Sequence, residues 1–153
     1  MSTPEERLAE MGLSVPEVPK PVAAYLPAVR TGSYVFTSGQ LPMREGQLMT
    51  TGKVGAEVTV DDAVECARQC ALNAIAAVRA EIGELSQVLR VVKVVVFVAS
   101  SPDFTGQPGV ANGASELFGE VFGDAGRHAR SAVGVSVLPL DAPVEVEIVV
   151  EVG

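Results

Sequence analysis

The sequence predicts an α+β fold, a mixed β-sheet with two main helices packed on one face. Apolar residues recur at three- and four-residue steps between Thr59 and Gly83, which is the spacing of one helix face. The segment 90–99 is almost continuous Val and Phe, which is typical of a strand covered on both faces. In the segment 144–152, Val and Ile alternate with Glu, which is typical of a strand with one buried face. The full order of strand, strand, helix, strand, helix, strand, strand leaves the other sheet face for a partner subunit or a ligand.

A short helix and a proline-rich extension are predicted before the sheet. Thr3, Pro4 and Glu6 match an N-cap, a first-turn proline and a capping-box acid, and Gly12 ends the helix. Four prolines lie within the segment 14–27, so this part of the chain is predicted to be extended rather than helical.

The chain of 153 residues has the length of one domain, so we predict an extension at 1–21 and a single domain at 22–153. The domain begins with a short strand near 24–29, a turn at 31–33 and a second strand at 34–38, which together form a hairpin. Glycine and proline positions and apolar spacing define the later elements. They are a hairpin or loop around Gly46, Gly52 and Gly55, a loop at 102–109, a helix from Val110 to Val121 that Gly123 ends, a strand from Ser131 to Leu138, and a connection from Pro139 to Pro143.

Composition and charge predict an oligomer and argue against several classes of function. The hydrophobic content, 48% before glycine is counted, exceeds what one small domain needs, so the surplus must line a pocket or be covered by another subunit. A net charge of -8 argues against binding to nucleic acid or to acidic membranes. The first residues lack the pattern of an export signal, and the longest apolar stretch, 91–99, is too short to span a bilayer. We therefore expect a cytoplasmic protein.

The cysteines and the histidine do not form a recognisable site. Cys66 and Cys70 lie four residues apart and far from the single histidine, His128, which argues against a disulfide framework or a zinc site. We interpret both cysteines as small apolar residues of the long helix. The sequence has no phosphate-binding glycine loop, no HExxH motif and no GxSxG motif.

One segment remains as a chemical candidate. Residues 127–131 place Arg130 at the start of a strand, beside a terminal strand that offers Glu145 and Glu147. A guanidinium at a strand end can pair with a carboxylate, and a nearby glutamate can take a proton from water.

An ordered set of short motifs extends this candidate over most of the chain, from about residue 22 to residue 152. The motifs are Tyr25 within AAYLPAV, TSGQLP at 37–42, Asn112 followed four residues later by Glu116, and ARS at 129–131 followed by LP and VEVE. Each fragment alone is common, but the ordered set resembles the RidA family, also called YjgF/YER057c/UK114.

The resemblance implies a fold like that of the Bacillus-type chorismate mutase. It implies a homotrimer whose sheets form a central barrel, with three active sites in the clefts between subunits. It also implies hydrolytic deamination of reactive enamine and imine intermediates, such as 2-aminoacrylate, to 2-oxo acids and ammonia. No metal ion or organic cofactor is implied, because the imine is already electrophilic. The implied ligand is a small carboxylate-bearing molecule, not nucleic acid or a membrane.

The same resemblance implies roles for five residues. Arg130 clamps the substrate carboxylate, and Glu145 positions the attacking water. Tyr25 lies on the pocket wall, Gly39 lies where a main-chain group contacts the substrate, and Asn112 is a pocket asparagine.

One further candidate and two departures concern the same pocket. His128, two residues before Arg130, would point to the same side of an extended strand and could move a proton near neutral pH. Ala132 stands where the family commonly has Cys, and Ser115 stands where a Tyr often follows the asparagine. No mechanism that uses a pocket thiol can therefore operate, and we expect a pocket of altered shape.

Each candidate also has a purely structural interpretation. Arg130 could close a strand at the surface, and Glu145 and Glu147 could form a solvated strand face. Tyr25 could be a packing aromatic residue, and Asn112 could cap its helix. His128 could be a loop residue without a catalytic role.

Three other functions compete with deamination. The cleft could bind a 2-oxo acid or another small carboxylate without turning it over. An endoribonuclease activity conflicts with the net charge of -8 and with the lack of a basic patch. A holdase-like or purely structural trimer would work without an intact cleft.

Overall fold

The computed structural model describes residues 2–18 and 24–153, which form a sheet layer and a helix layer. The helices are α1 (Pro4–Glu10), α2 (Val60–Ile82) and α3 (Gln107–Phe122), and the strands are β1 (Ala28–Thr31), β2 (Tyr34–Thr37), β3 (Met43–Arg44), β4 (Gln47–Leu48), β5 (Val88–Ala99), β6 (Ala129–Val135) and β7 (Val144–Val152). Short 3-10 turns span Leu85–Gln87, Gly123–Gly126 and Pro139–Asp141. The predicted α+β class is confirmed.

Five strands form the main sheet in the order β1-β2-β7-β5-β6, and β3 and β4 form a separate hairpin. Only β5 and β6 are parallel within the main sheet, and the other neighbours are antiparallel. This follows from the connection, because α3 lies between β5 and β6 in the chain and parallel neighbours need such a crossover. The sheet is therefore mixed, as predicted.

The two long helices bury one face of the sheet and leave the other face open. In β7, every second residue from Val144 to Val152 is buried and the intervening residues are half-buried, which confirms the predicted alternation. In β5, Val94 and Val96 are fully buried, whereas Val95 and Phe97 are only half-buried. The prediction that β5 is covered on both faces is therefore wrong for a single chain, in which the second face is apolar and open.

This open face carries several exposed apolar side chains. Phe36 on β2 is 47% exposed and Val133 on β6 is 43% exposed. Apolar side chains with this much exposure on one sheet face are typical of a surface that meets another protein. The open face is thus consistent with the excess of apolar residues in the composition.

Several boundaries differ from the predicted ones. The helix α3 begins at Gln107, earlier than predicted, because Pro108 occupies the first helical turn, where a proline is tolerated. The strand β6 spans Ala129–Val135 rather than 131–138, because its pairing with β5 ends where β5 ends. The strand β1 begins at Ala28, after Pro27.

The N-terminal helix α1 packs onto the helix layer. Its predicted capping box forms, and Leu8 is fully buried. Arg7 Nη1 donates to the main-chain oxygen of Val121 (3.3 Å), and a Glu5 carboxylate oxygen accepts from the amide of Leu85 (2.9 Å). These long-range bonds attach α1 to the end of α3 and to the turn after α2.

A glycine on α3 allows the two long helices to approach closely. A Cβ atom built at Gly113 would overlap the main-chain oxygen of Val64 on α2, whereas a Cβ at Gly119, on the same helix, meets nothing within 4 Å. We expect Gly113→Ala to lower the free energy of unfolding by about 1–3 kcal/mol, because the helices must separate. The control Gly119→Ala should raise it by about 0.5–1 kcal/mol through helix propensity. Urea denaturation of both variants tests this, and equal effects would contradict close packing at Gly113.

Candidate functional site

Arg130 lies at the sheet edge and points towards α3. It is in register with Val94 of β5, whose side chain is fully buried beneath the helices, so Arg130 is on the helix side of the sheet. Its Nη1 atom donates to Asn112 Oδ1 (2.8 Å) and to Ser115 Oγ (3.1 Å). Both hydrogens of Nη1 are therefore used by α3.

The remaining N–H groups of Arg130 are free to bind a ligand. Among the described residues, none accepts a hydrogen bond from Nε or Nη2, and no carboxylate lies within ion-pair distance of the guanidinium. The Nε and Nη2 hydrogens lie along one edge of the planar group, where they match the two oxygens of a carboxylate. Because Nη1 is occupied, this edge is the part of the guanidinium that remains available to a carboxylate.

His128 lies on the same side of β6 as Arg130, as the two-residue spacing predicts. Its Nδ1 atom is 2.6 Å from the main-chain oxygen of Gly126, and its Nε2 atom is 2.8 Å from Ser115 Oγ. The ring also packs edge-on against Phe118, with the ring centroids 6.0 Å apart. Ser115 thus contacts both His128 and Arg130. We call these four residues, Asn112, Ser115, His128 and Arg130, the arginine group.

Glu145 lies on the open face of the sheet. It is in register with Phe97, whose side chain is half-buried on that face. Burial raises the pKa of the Glu145 carboxyl above its usual value, and the negative charge of Glu147 raises it further. A carboxyl with a raised pKa is better suited than an ordinary glutamate to accept a proton near neutral pH.

Gly39 lies directly against the Glu145 carboxylate. Just after it, Gln40 exchanges two main-chain hydrogen bonds with Val146 (2.8 and 3.0 Å), which holds the chain beside β7. A Cβ atom built at Gly39 would overlap Glu145 Oε2, so any side chain here would displace the carboxylate. The requirement for glycine therefore comes from the carboxylate and not from a left-handed backbone.

Tyr25 lies near this region with a half-exposed ring. The amide of Ser38 donates to the main-chain oxygen of Pro27 (2.8 Å), and the Ser38 hydroxyl donates to that of Leu26. These bonds hold the segment after Tyr25 against the residue before Gly39. We call Tyr25, Gly39 and Glu145 the glutamate group.

The two groups do not meet within one chain. The sequence placed the arginine strand beside the terminal strand, but this is wrong, because β5 lies between β6 and β7. Registers with β5 put Arg130 on the helix side and Glu145 on the open side. The two side chains on which the predicted chemistry depends therefore lie on opposite faces of the sheet.

Ser115 is the residue whose importance the sequence did not reveal. It was noted only as a departure, whereas in the structure it bonds both Arg130 and His128. The available signal was its position three residues after Asn112, which places both on one helix face.

The described residues contain no group of three or more His, Cys, Asp or Glu side chains that could hold a metal ion. Burial raises the pKa of Cys66 to about 11, and it raises the pKa of Cys70 well above the usual value. Both thiols on α2 are thus protonated near neutral pH and unreactive. In the part of the chain that the structure describes, no helix has the length and apolar character that crossing a membrane requires.

A family model described as "YjgF/chorismate_mutase-like, putative endoribonuclease" matches residues 5–152. The chain belongs to the YjgF/YER057c/UK114 family. Both the resemblance seen in the ordered motifs and the chorismate-mutase-like fold are thereby confirmed. The match spans α1 as well as the sheet and the two long helices.

Two relatives and two solved structures match this chain over nearly its full length. "Protein TCP17" of Trypanosoma cruzi is 46% identical over 95% of this chain and 92% of its own. A "2-iminobutanoate/2-iminopropanoate deaminase" of Dermatophagoides farinae is 34% identical over 90% of this chain and 93% of its own. The crystal structure of Atu1372 of Agrobacterium tumefaciens, a protein with unknown function, is 44% identical, with a TM-score of 0.92, and the match covers 99% of this chain and 94% of that chain. Escherichia coli TdcF with bound serine is 27% identical, with a TM-score of 0.68 and coverage of 90% and 94%.

Proposed function

We propose that the protein is a hydrolytic deaminase of reactive enamines and imines of the 2-aminoacrylate type, which it converts to 2-oxo acids and ammonia. The observation that carries the proposal is Arg130, whose Nη1 atom is held by α3 while its Nε–Nη2 edge has no partner among the described residues. An arginine on the helix side of the sheet, with the N–H groups of Nε and Nη2 unpaired, can donate to both oxygens of a small carboxylate. The deaminase name of one YjgF-family relative supports the reaction class.

The reaction follows from the two groups when they act on one substrate. An enamine first takes a proton at its terminal carbon and becomes the protonated imine, an iminium ion that keeps both hydrogens on nitrogen. Arg130 then binds the carboxylate and orients the C=N bond. Glu145 takes a proton from a water molecule as the water oxygen bonds to the imine carbon, and the resulting carbinolamine carries hydroxyl and amino groups on that carbon. Protonation of the nitrogen releases ammonia, and loss of the hydroxyl proton leaves the 2-oxo acid.

The proposal includes a homotrimer, because one chain cannot bring the two groups to the same substrate. Arg130 and Glu145 lie on opposite sheet faces, so a carboxylate bound by one chain must meet the glutamate group of a neighbour. The apolar open face, with Phe36 and Val133 exposed, supplies the surface that such an assembly buries.

The proposal is tested by generating 2-aminoacrylate enzymatically from serine and following pyruvate release. The wild-type protein should accelerate release, and Arg130→Ala should not. The acceleration of pyruvate release by Arg130→Lys should be at least about tenfold smaller than that by the wild type, because an ammonium group cannot form two parallel hydrogen bonds to a carboxylate. Glu116→Gln, an exposed change on α3, serves as the control. Equal release with and without the wild-type protein would reject the enzymatic proposal.

One second function has support from a specific observation. Ala132, on the same side of β6 as Arg130, packs against the core at the position where the family resemblance implies Cys. A pocket without that thiol could bind a 2-oxo acid and not turn an imine over. Calorimetric binding of 2-oxobutanoate without accelerated pyruvate release would favour this alternative. Endoribonuclease activity stays disfavoured by the net charge of -8.

A further inference from the structure

The hydrogen bonds around Ser115 have a defined direction. A carbonyl oxygen only accepts, so the contact between His128 Nδ1 and the Gly126 oxygen (2.6 Å) requires the hydrogen to be on Nδ1. In a neutral imidazole, Nε2 is then an acceptor. The Ser115 hydroxyl, 2.8 Å away, must donate to it, because no other hydrogen lies between the two atoms.

This direction determines what Ser115 offers to Arg130. With its hydrogen on the His128 side, the hydroxyl oxygen presents lone pairs to Arg130 Nη1, which donates to it at 3.1 Å. Asn112 Oδ1 accepts the second Nη1 hydrogen at 2.8 Å. The guanidinium is therefore held at one end by two acceptors, which fixes the direction in which its Nε–Nη2 edge points.

The far end of this chain of bonds is rigid. The Gly126 oxygen belongs to the 3-10 turn Gly123–Gly126, and Gly126 is buried so tightly that a Cβ there would overlap the main-chain oxygen of Phe118. The His128 ring also packs edge-on against Phe118. The imidazole thus has little freedom to rotate, and its Nε2 atom stays in place to accept from Ser115.

We propose that Ser115 and His128 are positioning residues that fix the orientation of Arg130 for carboxylate binding. We call the series of hydrogen bonds from the Gly126 oxygen through His128 and Ser115 to Nη1 of Arg130 the relay. The relay acts through Arg130 and does not touch the substrate. It rests on the carboxylate-binding part of the proposed function. It also gives a reason for the departure at position 115, because a Tyr there could not occupy the place of Ser115 between the histidine and the arginine.

The tautomer of His128 is the most direct test, because it is the only histidine in the chain. Long-range ¹H–¹⁵N spectra of the ligand-free full-length protein distinguish the two tautomers of the neutral ring from each other and from the protonated ring. We expect the Nδ1–H form, and we expect 2-oxobutanoate to shift the Nε2 resonance. The Nε2–H form would overturn the proposal, because Ser115 could then not donate to the ring.

Substitutions test the effect on binding. Ser115→Ala and His128→Phe should each weaken 2-oxobutanoate binding, measured by calorimetry, by about fivefold to tenfold, because one acceptor of Nη1 is lost or misdirected. His128→Phe keeps an aromatic ring against Phe118. His128→Gln should bind within about threefold of wild type, because a side-chain amide oxygen can replace Nε2 as the acceptor. Thermal unfolding of each variant checks that the fold is retained.

The outcomes separate this proposal from the proposed function. The relay is supported if the wild type binds 2-oxobutanoate and the Ser115→Ala and His128→Phe variants bind it more weakly. This holds even if the protein does not accelerate imine hydrolysis. Unchanged binding in Ser115→Ala overturns the relay, even if Arg130→Ala abolishes hydrolysis. Equal loss in His128→Gln and His128→Phe, or no measurable binding of 2-oxobutanoate by the wild type, also overturns it. The control is again Glu116→Gln, next to Ser115 on α3, which should bind like the wild type.

Discussion

Co-expression of Arg130→Ala and Glu145→Gln chains is expected to restore about a quarter of the wild-type deaminase activity, although each variant alone is inactive. The reason is the placement of the two side chains on opposite faces of the sheet. A site that takes its arginine from one chain and its glutamate from the next is complete only when the first chain carries Arg130 and the second carries Glu145. Each condition is met independently by half of the chains. With equal amounts of the two chains, about one site in four meets this condition.

A matched mixture distinguishes this arrangement from a site within one chain. Wild-type chains co-expressed with the double variant Arg130→Ala, Glu145→Gln should also give about one complete site in four if neighbours share the site, but about half if each chain builds its own. The two single variants would give no activity in the second case. Different affinity tags on the two chains allow the mixed assemblies to be isolated. Activity of about half for the double variant and none for the singles would refute the shared site.

Glu145→Gln is expected to lower kcat/KM for imine hydrolysis by about a hundredfold or more, because the amide cannot take a proton from water. The wild-type pH–rate profile should fall on the acidic side at a higher pH than an ordinary glutamate would give, since burial and the charge of Glu147 raise the pKa of Glu145. Removing that charge with Glu147→Gln should move the acidic limb to lower pH while leaving activity near neutral pH. An unmoved limb would show that another group titrates.

Glu145 is expected to lower the stability of the fold near neutral pH, although it supports activity there. A carboxyl whose pKa is higher in the folded than in the unfolded chain stabilises the fold at low pH, and this contribution is lost as the pH rises through the raised value. Glu145→Gln should therefore unfold at an equal or higher temperature than the wild type at neutral pH. A large loss of stability in Glu145→Gln would contradict this assignment.

Gly39→Ala should reduce deaminase activity as well, because it displaces the Glu145 carboxylate without removing it.

The sequence was sufficient for properties that depend on local pattern. The alternation along β7 correctly predicts that Glu145 faces away from the helices, and the spacing of His128 and Arg130 correctly predicts that they share a side. Local pattern does not determine which strands are neighbours. The insertion of β5 between β6 and β7 depends on the crossover through α3, and this insertion separates Arg130 from Glu145.

Two further features depend on contacts between segments distant in the chain. The bond between Ser115 and His128 joins a helix to the start of a strand, and its direction is set by the Gly126 oxygen. The close fit of Gly39 to Glu145 arises because Gln40 pairs with Val146, more than a hundred residues later. Residue types could suggest these positions, but only the fold shows what they touch.

The open face bears Phe36, Val133 and Glu145 together, so a subunit contact that covered the apolar side chains would also exclude bulk water from the Glu145 carboxylate. If neighbouring chains share the site, as proposed, deaminase activity per chain should depend on protein concentration. On dilution, deaminase turnover per chain should then fall while the circular dichroism of the helices is unchanged, because a separated chain would keep its fold and lose only the residues that its neighbour contributes to the proposed site.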